Sequence, residues 1–242
     1  MGLAIRLSDG DAPGLAPLAG LEVRRELDAG MLATVQGRTA EEMERRIREG
    51  HRAYVATIDG CIVAWGWVAT RSAWVGEVNA AFRVHERERY LWNFVTAPTH
   101  RGLGIYPRLL DQIVRSESGE ADRFWIAYAP ENHASAAGIR RAGFVHVGEL
   151  SFDASGRPAV RGSAEMAAEG ARRLDLSHVD HELAPCWRCA RTKPLRSSCR
   201  AATMPLRLPG AGPVMRSLTA AAGVSLVPDR SAAGDPHRSS WS

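Results

Sequence analysis

One short segment limits what this chain can fold into more than any other. Residues 89–96 (Arg-Tyr-Leu-Trp-Asn-Phe-Val-Thr) are aromatic and β-branched, as a strand prefers. Residues 105–116 read as a helix, with Pro107 confined to the first turn, where proline is tolerated. Between them stands Arg101-Gly102-Leu103-Gly104-Ile105-Tyr106. Two glycines let the backbone turn tightly and aim successive N–H groups outward, and a helix that starts there adds the positive end of its dipole. The junction is an anion cradle suited to a pyrophosphate. It is not a dinucleotide-binding fingerprint, because Pro107 holds the place of the third glycine. Taken alone, the six residues read equally as a tight structural turn.

The elements around this junction alternate between strand and helix. Residues 3–7 read as a strand. Leu15, Leu18, Leu21 and Val23 give a helical apolar period after Asp11 as N-cap and Pro13 in the first turn. A second helix opens at Thr39, where Thr39-Ala-Glu-Glu42 has capping-box spacing, and ends at Gly50. Asp59-Gly60 between the apolar runs 53–58 and 61–70 predicts a hairpin with a two-residue turn, both of whose residues need φ > 0. Further strands are expected at 73–84, 123–129, 144–153 and 157–163, and a helix at 133–142 with Gly143 as its left-handed cap. Residues 164–175 have the length of one more helix. The order implies an α/β fold of mixed type, a mixed β-sheet flanked by helices. Three segments follow: a domain over 1–162, a partly helical extension with cysteines over 163–199, and a basic tail over 200–242 whose Ala, Gly, Pro, Ser and Arg show no period and predict disorder.

Charge narrows the partners. The net charge is +4, but residues 1–185 hold 22 basic and 25 acidic residues, against 9 and 2 in residues 186–242. A slightly acidic body offers no electrostatic footprint to a nucleic acid, and the tail reads as solvated. Of 31 basic residues, 30 are Arg and one is Lys193, which sits beside Pro194 and suits neither a P-loop nor a pyridoxal Schiff base. Asp9 and Asp11 interrupt the N-terminus, Arg6 stands where a myristoylation signal wants Ser or Thr, and no apolar run approaches a membrane span. The expectation is a cytoplasmic protein with no membrane or nucleic-acid partner. Cys186-x2-Cys189, near Cys199 and His178 or His181, is half of a zinc site without a clean second pair, so no metal is expected.

The run from Phe94 to Leu110, with Pro98, Arg101, Gly102 and Gly104, resembles motif A of the GNAT superfamily of N-acetyltransferases. Asn132-His-Ala-Ser135 and Arg141-Ala142-Gly143-Phe144 resemble its motif B. The resemblance covers residues 3–162. It implies the GNAT-like acyl-CoA N-acyltransferase fold, in which two parallel strands, here 89–96 and 123–129, splay apart and acetyl-CoA enters the gap. By this resemblance Phe94, Val95 and Thr96 pair with the pantetheine arm. The N–H groups of Gly102, Leu103, Gly104, Ile105 and Tyr106 hold the pyrophosphate. Asn132 and Ser135 meet the arm, and Arg101 and Arg108 are phosphate contacts. Two residues depart from the pattern. Tyr106 replaces a small residue, so its side chain must point away from the loop. Ile139 stands where many members place a Tyr that protonates the leaving thiolate. Ser135, Tyr128, Tyr106 or water then substitutes, or no acid is needed, because a thiol is an acceptable leaving group.

The implied reaction transfers an acetyl group from acetyl-CoA to a primary amine of a small-molecule or peptide acceptor. It needs an amine freed of its proton, a polarised thioester carbonyl and aligned reactants. A backbone N–H near Val95 or Thr96 would polarise the carbonyl. Base candidates are Glu77, Glu86, Glu88 and His85, each also readable as a surface charge. Glu77 is preferred because Trp74, Val75 and Val78 flank it. Asn93 would orient a water. Trp65, Trp67, Trp74 and Trp92 read as sheet core or as an acceptor pocket. A non-catalytic acyl-CoA-binding or regulatory module is the alternative, and a homodimer is compatible with either.

Overall fold

The structure, a computed structural model, describes residues 1–76, 80–153, 155–163 and 165–180. Glu77 and the segment with Cys186, Cys189, Cys199 and the basic tail lie outside the described residues. The strands are β1 (Gly2–Leu7), β2 (Leu21–Glu26), β3 (His51–Ile58), β4 (Cys61–Ala69), β5 (Ser72–Val75), β6 (Ala80–Arg83), β7 (Glu88–Thr96), β8 (Arg123–Tyr128), β9 (Val145–Phe152), β10 (Pro158–Arg161) and β11 (Ser177–Val179). The helices are α1 (Ala29–Gln36), α2 (Ala40–Arg48), α3 (Ile105–Glu117), α4 (His133–Arg141) and α5 (Glu165–Arg173).

Nine strands form one sheet in the order β11-β10-β9-β1-β8-β7-β4-β3-β2, and β5 and β6 form a separate hairpin. The sheet is mixed: β7–β8 and β10–β11 are parallel, and the other neighbours are antiparallel. Local chemistry explains several boundaries. Asp59 and Gly60 have φ of 50° and 76°, and Ile58 pairs with Cys61 across them, as the Asp-Gly turn requires. Thr39 caps α2, its hydroxyl accepting from Glu42 N–H at 3.2 Å. Gly143, at φ 81°, donates to Arg140 O while Phe144 N–H donates to Ile139 O, the two bonds of a Schellman end.

The helix expected over residues 15–23 is not there. Pro13, Gly14, Pro17 and Gly20 interrupt the segment, and residues 21–26 form edge strand β2 on β3, from Leu21↔Ile58 to Glu26↔Ala53. Leu21 and Val23 alternate with exposed Glu22 and Arg24, a period of two. The first helix is instead α1, capped by Asp28 Oδ1 accepting from Met31 N–H at 2.9 Å. The three residues of β11 carry no strand signal in the sequence. They add to β10 after α5, whose Ala167 and Ala171 are buried with Leu174 against Trp125 and Val160.

The sheet is covered on both faces. On one, Ile105, Leu109, Leu110, Ile113 and Val114 of α3 form a helical stripe over Tyr54, Ala56, Leu91, Phe124 and Ile126. On the other, Leu32 and Met43 of the α1–α2 pair pack on Ala53, Val55 and Trp67. Two ion clusters tie α3 to the sheet. Glu117 accepts from Tyr54 Oη (2.7 Å), Arg52 Nη1 (2.6 Å) and Arg89 Nε (2.8 Å). Asp111 lies 2.8 Å from buried Arg6 of β1. With α3 tied down at its middle and its C-terminal end, its N-terminal end follows the last residues of β7.

Candidate functional site

β7 and β8 run parallel from Glu88↔Arg123 to Leu91↔Ile126, and pairing stops there although both strands continue. From Trp92 to Thr96, β7 keeps β4 on one edge and no longer has β8 on the other. The strands open into a V whose arms lead to α3 and α4. A β-bulge sits just past the point of divergence. Trp65 pairs with Val95 and Trp67 with Trp92, so Gly66 alone faces Asn93 and Phe94, and Asn93 adopts φ 53°. Asn93, Phe94, Val95 and Thr96 therefore all lie on the free stretch of β7.

The glycine junction follows at the end of that arm. After a 3-10 turn over Pro98–His100, Gly102 and Gly104 take φ of 80° and 72°. Gly104 is the N-cap of α3 and brings no side chain to the first turn, whereas Asp28, Thr39 and Asn132 cap α1, α2 and α4 with their own oxygens. The opening N–H groups of α3 thus have no capping side chain, and Pro107 contributes none. The residues fit an anion: donors with the helix dipole behind them, at a glycine where a Cβ would stand 2.5 Å from Arg108 Nη1. Arg101 Nε reaches Thr96 O at 3.3 Å. Arg108 spends three donors on carbonyls, one on Gly104 O (2.7 Å) and two on Ala16 O (2.9 and 2.7 Å), so it braces the loop. Arg141, named above within the motif B stretch but given no phosphate role there, places Nη2 3.9 Å from the Cβ position of Gly104.

Tyr106 does point away from the loop. Its ring tilts against Phe94 at 5.6 Å and passes over Gly138 of α4. Its hydroxyl lies 3.5 Å from Ser135 Oγ, a long contact, and burial pushes it well above the usual tyrosine range. Asn132 Oδ1 accepts from Ser135 N–H at 2.9 Å, so the oxygen caps α4 and the amide nitrogen keeps its donors. Ile139 is buried in the core.

The candidates just before β7 are not at the mouth of the V. Glu88 begins β7, five residues from Asn93, on the order of 16 Å of strand. It is buried, accepts from Trp125 Nε1 at 3.2 Å, and burial pushes its carboxyl up. His85 lies 3.3 Å from Asp175, and Glu86 is exposed at the same end. Sequence proximity to the strand misled here, because the divergence lies at the strand's other end. Tyr128 is also turned aside: its ring lies over Gly2 and its hydroxyl is 3.1 Å from His146 Nδ1 on β9.

The tryptophans divide. Trp67 is fully buried, Trp65 and Trp92 are partly buried beside it, and Trp74 is 47% exposed. Arg46 stacks over Trp67 and Trp92 at 5.3 and 4.9 Å, and His51 meets Trp92 edge-on at 5.1 Å. No sequence motif marks that cluster, which the β3–β4–β7 register assembles. Among the described residues no group of three or more His, Cys, Asp or Glu is placed to hold a metal, and no helix is long and apolar enough to cross a membrane.

Solved structures resemble the chain at low identity. One is an acetyltransferase of the GNAT family from Streptococcus pneumoniae, with 18% identity over 52% of this chain and 84% of that one, TM-score 0.39. A second is the aminoglycoside antibiotic 6'-N-acetyltransferase AAC(6')-Ih from Acinetobacter baumannii, with 13% identity over 55% and 97%, TM-score 0.40. A third is a GCN5-related N-acetyltransferase from Kribbella flavida, with 15% identity over 60% and 53%, TM-score 0.38. No curated protein sequence matches. The acetyltransferase (GNAT) family profile matches residues 22–144, half of the 242-residue chain, from β2 through the Gly-Phe end of α4. The chain belongs to the GNAT acetyltransferase family.

Proposed function

We propose that the protein transfers an acetyl group from acetyl-CoA to a primary amine of a small-molecule or peptide acceptor, by direct attack in a ternary complex. One observation carries the reading: β7 parts from β8 after Leu91↔Ile126, and its free arm leads directly to a helix start with two left-handed glycines and no capping side chain. Acetyl-CoA supplies an activated acyl carbon and a thiol leaving group. The edge of Phe94, Val95 and Thr96 receives an extended amide chain as an added strand. The N–H groups of Gly102 to Tyr106 hold a pyrophosphate, with Arg101 as a further phosphate contact and Arg108 holding the loop in shape. The Asn132 amide nitrogen donates to the pantetheine arm.

For catalysis, an N–H at Val95 or Thr96 polarises the carbonyl and Asn93, at φ 53° in the bulge, orients a water. Glu77 remains the proposed base on the ground of its apolar sequence neighbours, and the Ser135 hydroxyl lies in the proton path to the leaving sulfur. A non-catalytic acyl-CoA-binding module is the second reading, favoured by the aliphatic, buried Ile139. CoA release from acetyl-CoA with a panel of polyamines, amino sugars, peptides and small amines separates the two. Amine-dependent release supports transfer, and CoA binding without any amine-dependent release supports the module.

A further inference from the structure

The sheet face opposite α3 carries a polar cluster at the point where β7 leaves β8. Trp92 is the first residue of β7 past the last β7–β8 pair, and its cross-strand partner on β4 is Trp67. The two rings lie 6.0 Å apart beside the α1–α2 pair. Arg46 of α2 covers both, its guanidinium carbon 5.3 and 4.9 Å from the ring centres. His51 of β3 meets Trp92 edge-on at 5.1 Å. Gln36, the last residue of α1, accepts from Trp67 Nε1 at 3.1 Å. That bond fixes the amide, with its oxygen on the indole and its nitrogen turned elsewhere. Four polar atoms of the cluster are buried with no hydrogen-bond partner among the described residues: Gln36 Nε2, Arg46 Nη1, His51 Nδ1 and Trp92 Nε1. Three of them can only donate, and a neutral His51 can donate or accept. Gln36 Oε1 is already taken by Trp67, and Glu42 Oε1 accepts from Arg46 Nη2. Buried donors left unpaired are costly and rare, so this set calls for a group rich in acceptors.

Charge points the same way. Burial lowers Arg46 from the ordinary arginine range, with Arg38 and Arg45 adding and Glu42 opposing. A second anion beside the guanidinium would relieve it. A guanidinium stacked on two indoles keeps its edge for in-plane bonds, the geometry in which it meets a carboxylate. With the cofactor held at the start of α3, the α1–α2 face is left for the acceptor. Resting on the acetyl-transfer reading, we propose that the acceptor is a primary amine that also carries a carboxylate, and that Arg46, Trp92 Nε1 and Gln36 Nε2 bind that carboxylate. Held there, the acceptor lies beside Asn93, the next residue along β7, where its amine meets the thioester. The carboxylate takes no part in acyl transfer; it selects and orients. A neutral carboxamide brings one acceptor oxygen and two further donors, so it suits the cluster poorly.

The test compares acceptors as matched pairs: ω-amino carboxylates of increasing length, α-amino acids and a dipeptide, each against its own carboxamide. The wild type should favour the carboxylate of at least one pair by about 10–100-fold in kcat/KM, chiefly through KM. Which pair shows the preference tells a free amino acid from a peptide end. Arg46→Gln should shrink the preference to about threefold or less. Trp92→Phe, which removes the indole donor and keeps a ring beneath Arg46, should reduce it in part. Urea unfolding checks that each variant is folded, and Trp92→Phe carries the test where Arg46→Gln does not fold. A wild type that acetylates amines without regard to the carboxylate overturns the proposal and leaves acetyl transfer standing. A preference that survives both substitutions overturns it too, since the carboxylate then sits elsewhere. If no amine is acetylated, the acetyl-transfer reading fails. Calorimetric titration of the same pairs into the protein with CoA present then decides for the cluster alone. Carboxylate-selective binding that is lost in Arg46→Gln, or reduced in Trp92→Phe, supports it as a carboxylate site, and the absence of selective binding overturns it.

Discussion

Gly66 of β4 lies directly beneath the ring of Phe94 on β7: a Cβ at Gly66 would stand 2.1 Å from Phe94 Cε1 and 2.2 Å from Cδ1. The same Gly66 is the single residue opposite the two-residue bulge of Asn93 and Phe94. One missing side chain thus sets both the bulge and the ring that lines the V. Gly66→Ala forces Phe94 out of place at a cost of about 1–3 kcal/mol and weakens CoA binding. Truncating the ring as well, in Gly66→Ala/Phe94→Ala, gives a smaller loss than the two single losses added. A double-mutant cycle in urea unfolding, with CoA titration on each variant, measures both effects.

The two cradle glycines make unequal predictions. Gly102 at φ 80° has open space around its Cβ position, so Gly102→Ala costs only the left-handed strain, about 1 kcal/mol. Gly104 at φ 72° faces Arg108 Nη1 at 2.5 Å. Gly104→Glu adds strain, displaces the bracing arginine and places a negative charge in the cradle. Calorimetric titration should find CoA binding abolished in Gly104→Glu and retained in Gly102→Ala. A Gly104→Glu protein that still binds CoA contradicts the cradle.

Removing Asp111 strands a charge. Arg6 is 5% exposed, and Asp111 at 2.8 Å is its carboxylate partner, while Ala142 O accepts from it at 2.8 Å. Asp111→Ala is expected to cost about 3–5 kcal/mol in urea unfolding, because it leaves the guanidinium buried and unpaired. Arg6→Met/Asp111→Leu removes both charges and should recover most of that loss.

Stability should fall on the acid side for two reasons of one sign. Burial raises the Glu117 carboxyl, and hydrogen bonds from Arg89, Tyr54 and Arg52 more than offset it, so its pKa lies below the ordinary 4.5. That contribution is complete above pH 4.5 and is lost as pH falls through the depressed value. His51 is lowered from 6.5 to about 4, chiefly by burial, with Arg46 and Arg45 adding and Glu49 opposing. The unfolded state then binds more protons between those values, so stability rises with pH across 4 to 6.5. His51→Gln should flatten that window and leave the steeper fall below it. An unchanged slope of unfolding free energy between pH 4 and 6.5 would contradict the His51 assignment.

What could be read in advance was local. Asp59-Gly60, Thr39 and Gly143 each act within a few residues, through φ > 0 or a cap, and the structure bears each out. The glycine junction was legible for the same reason. Leu15, Leu18, Leu21 and Val23 misled because their spacing allows a helix, while Pro17 and Gly20 break it and pairing with β3 selects a strand. The distance between Glu88 and the V was hidden as well, since it depends on where β7 leaves β8. So was the Arg46–Trp92–His51 cluster, whose members come from α2, β7 and β3.

The central claim is acetyl transfer at the V between β7 and β8. Its most direct measurement is thiol release from acetyl-CoA by the full chain across the amine panel, with mass analysis of each amine. The account predicts release that depends on one class of primary amine and a matching gain of one acetyl group on that amine. Tight CoA binding with no amine-dependent release and no acetylated product would contradict it.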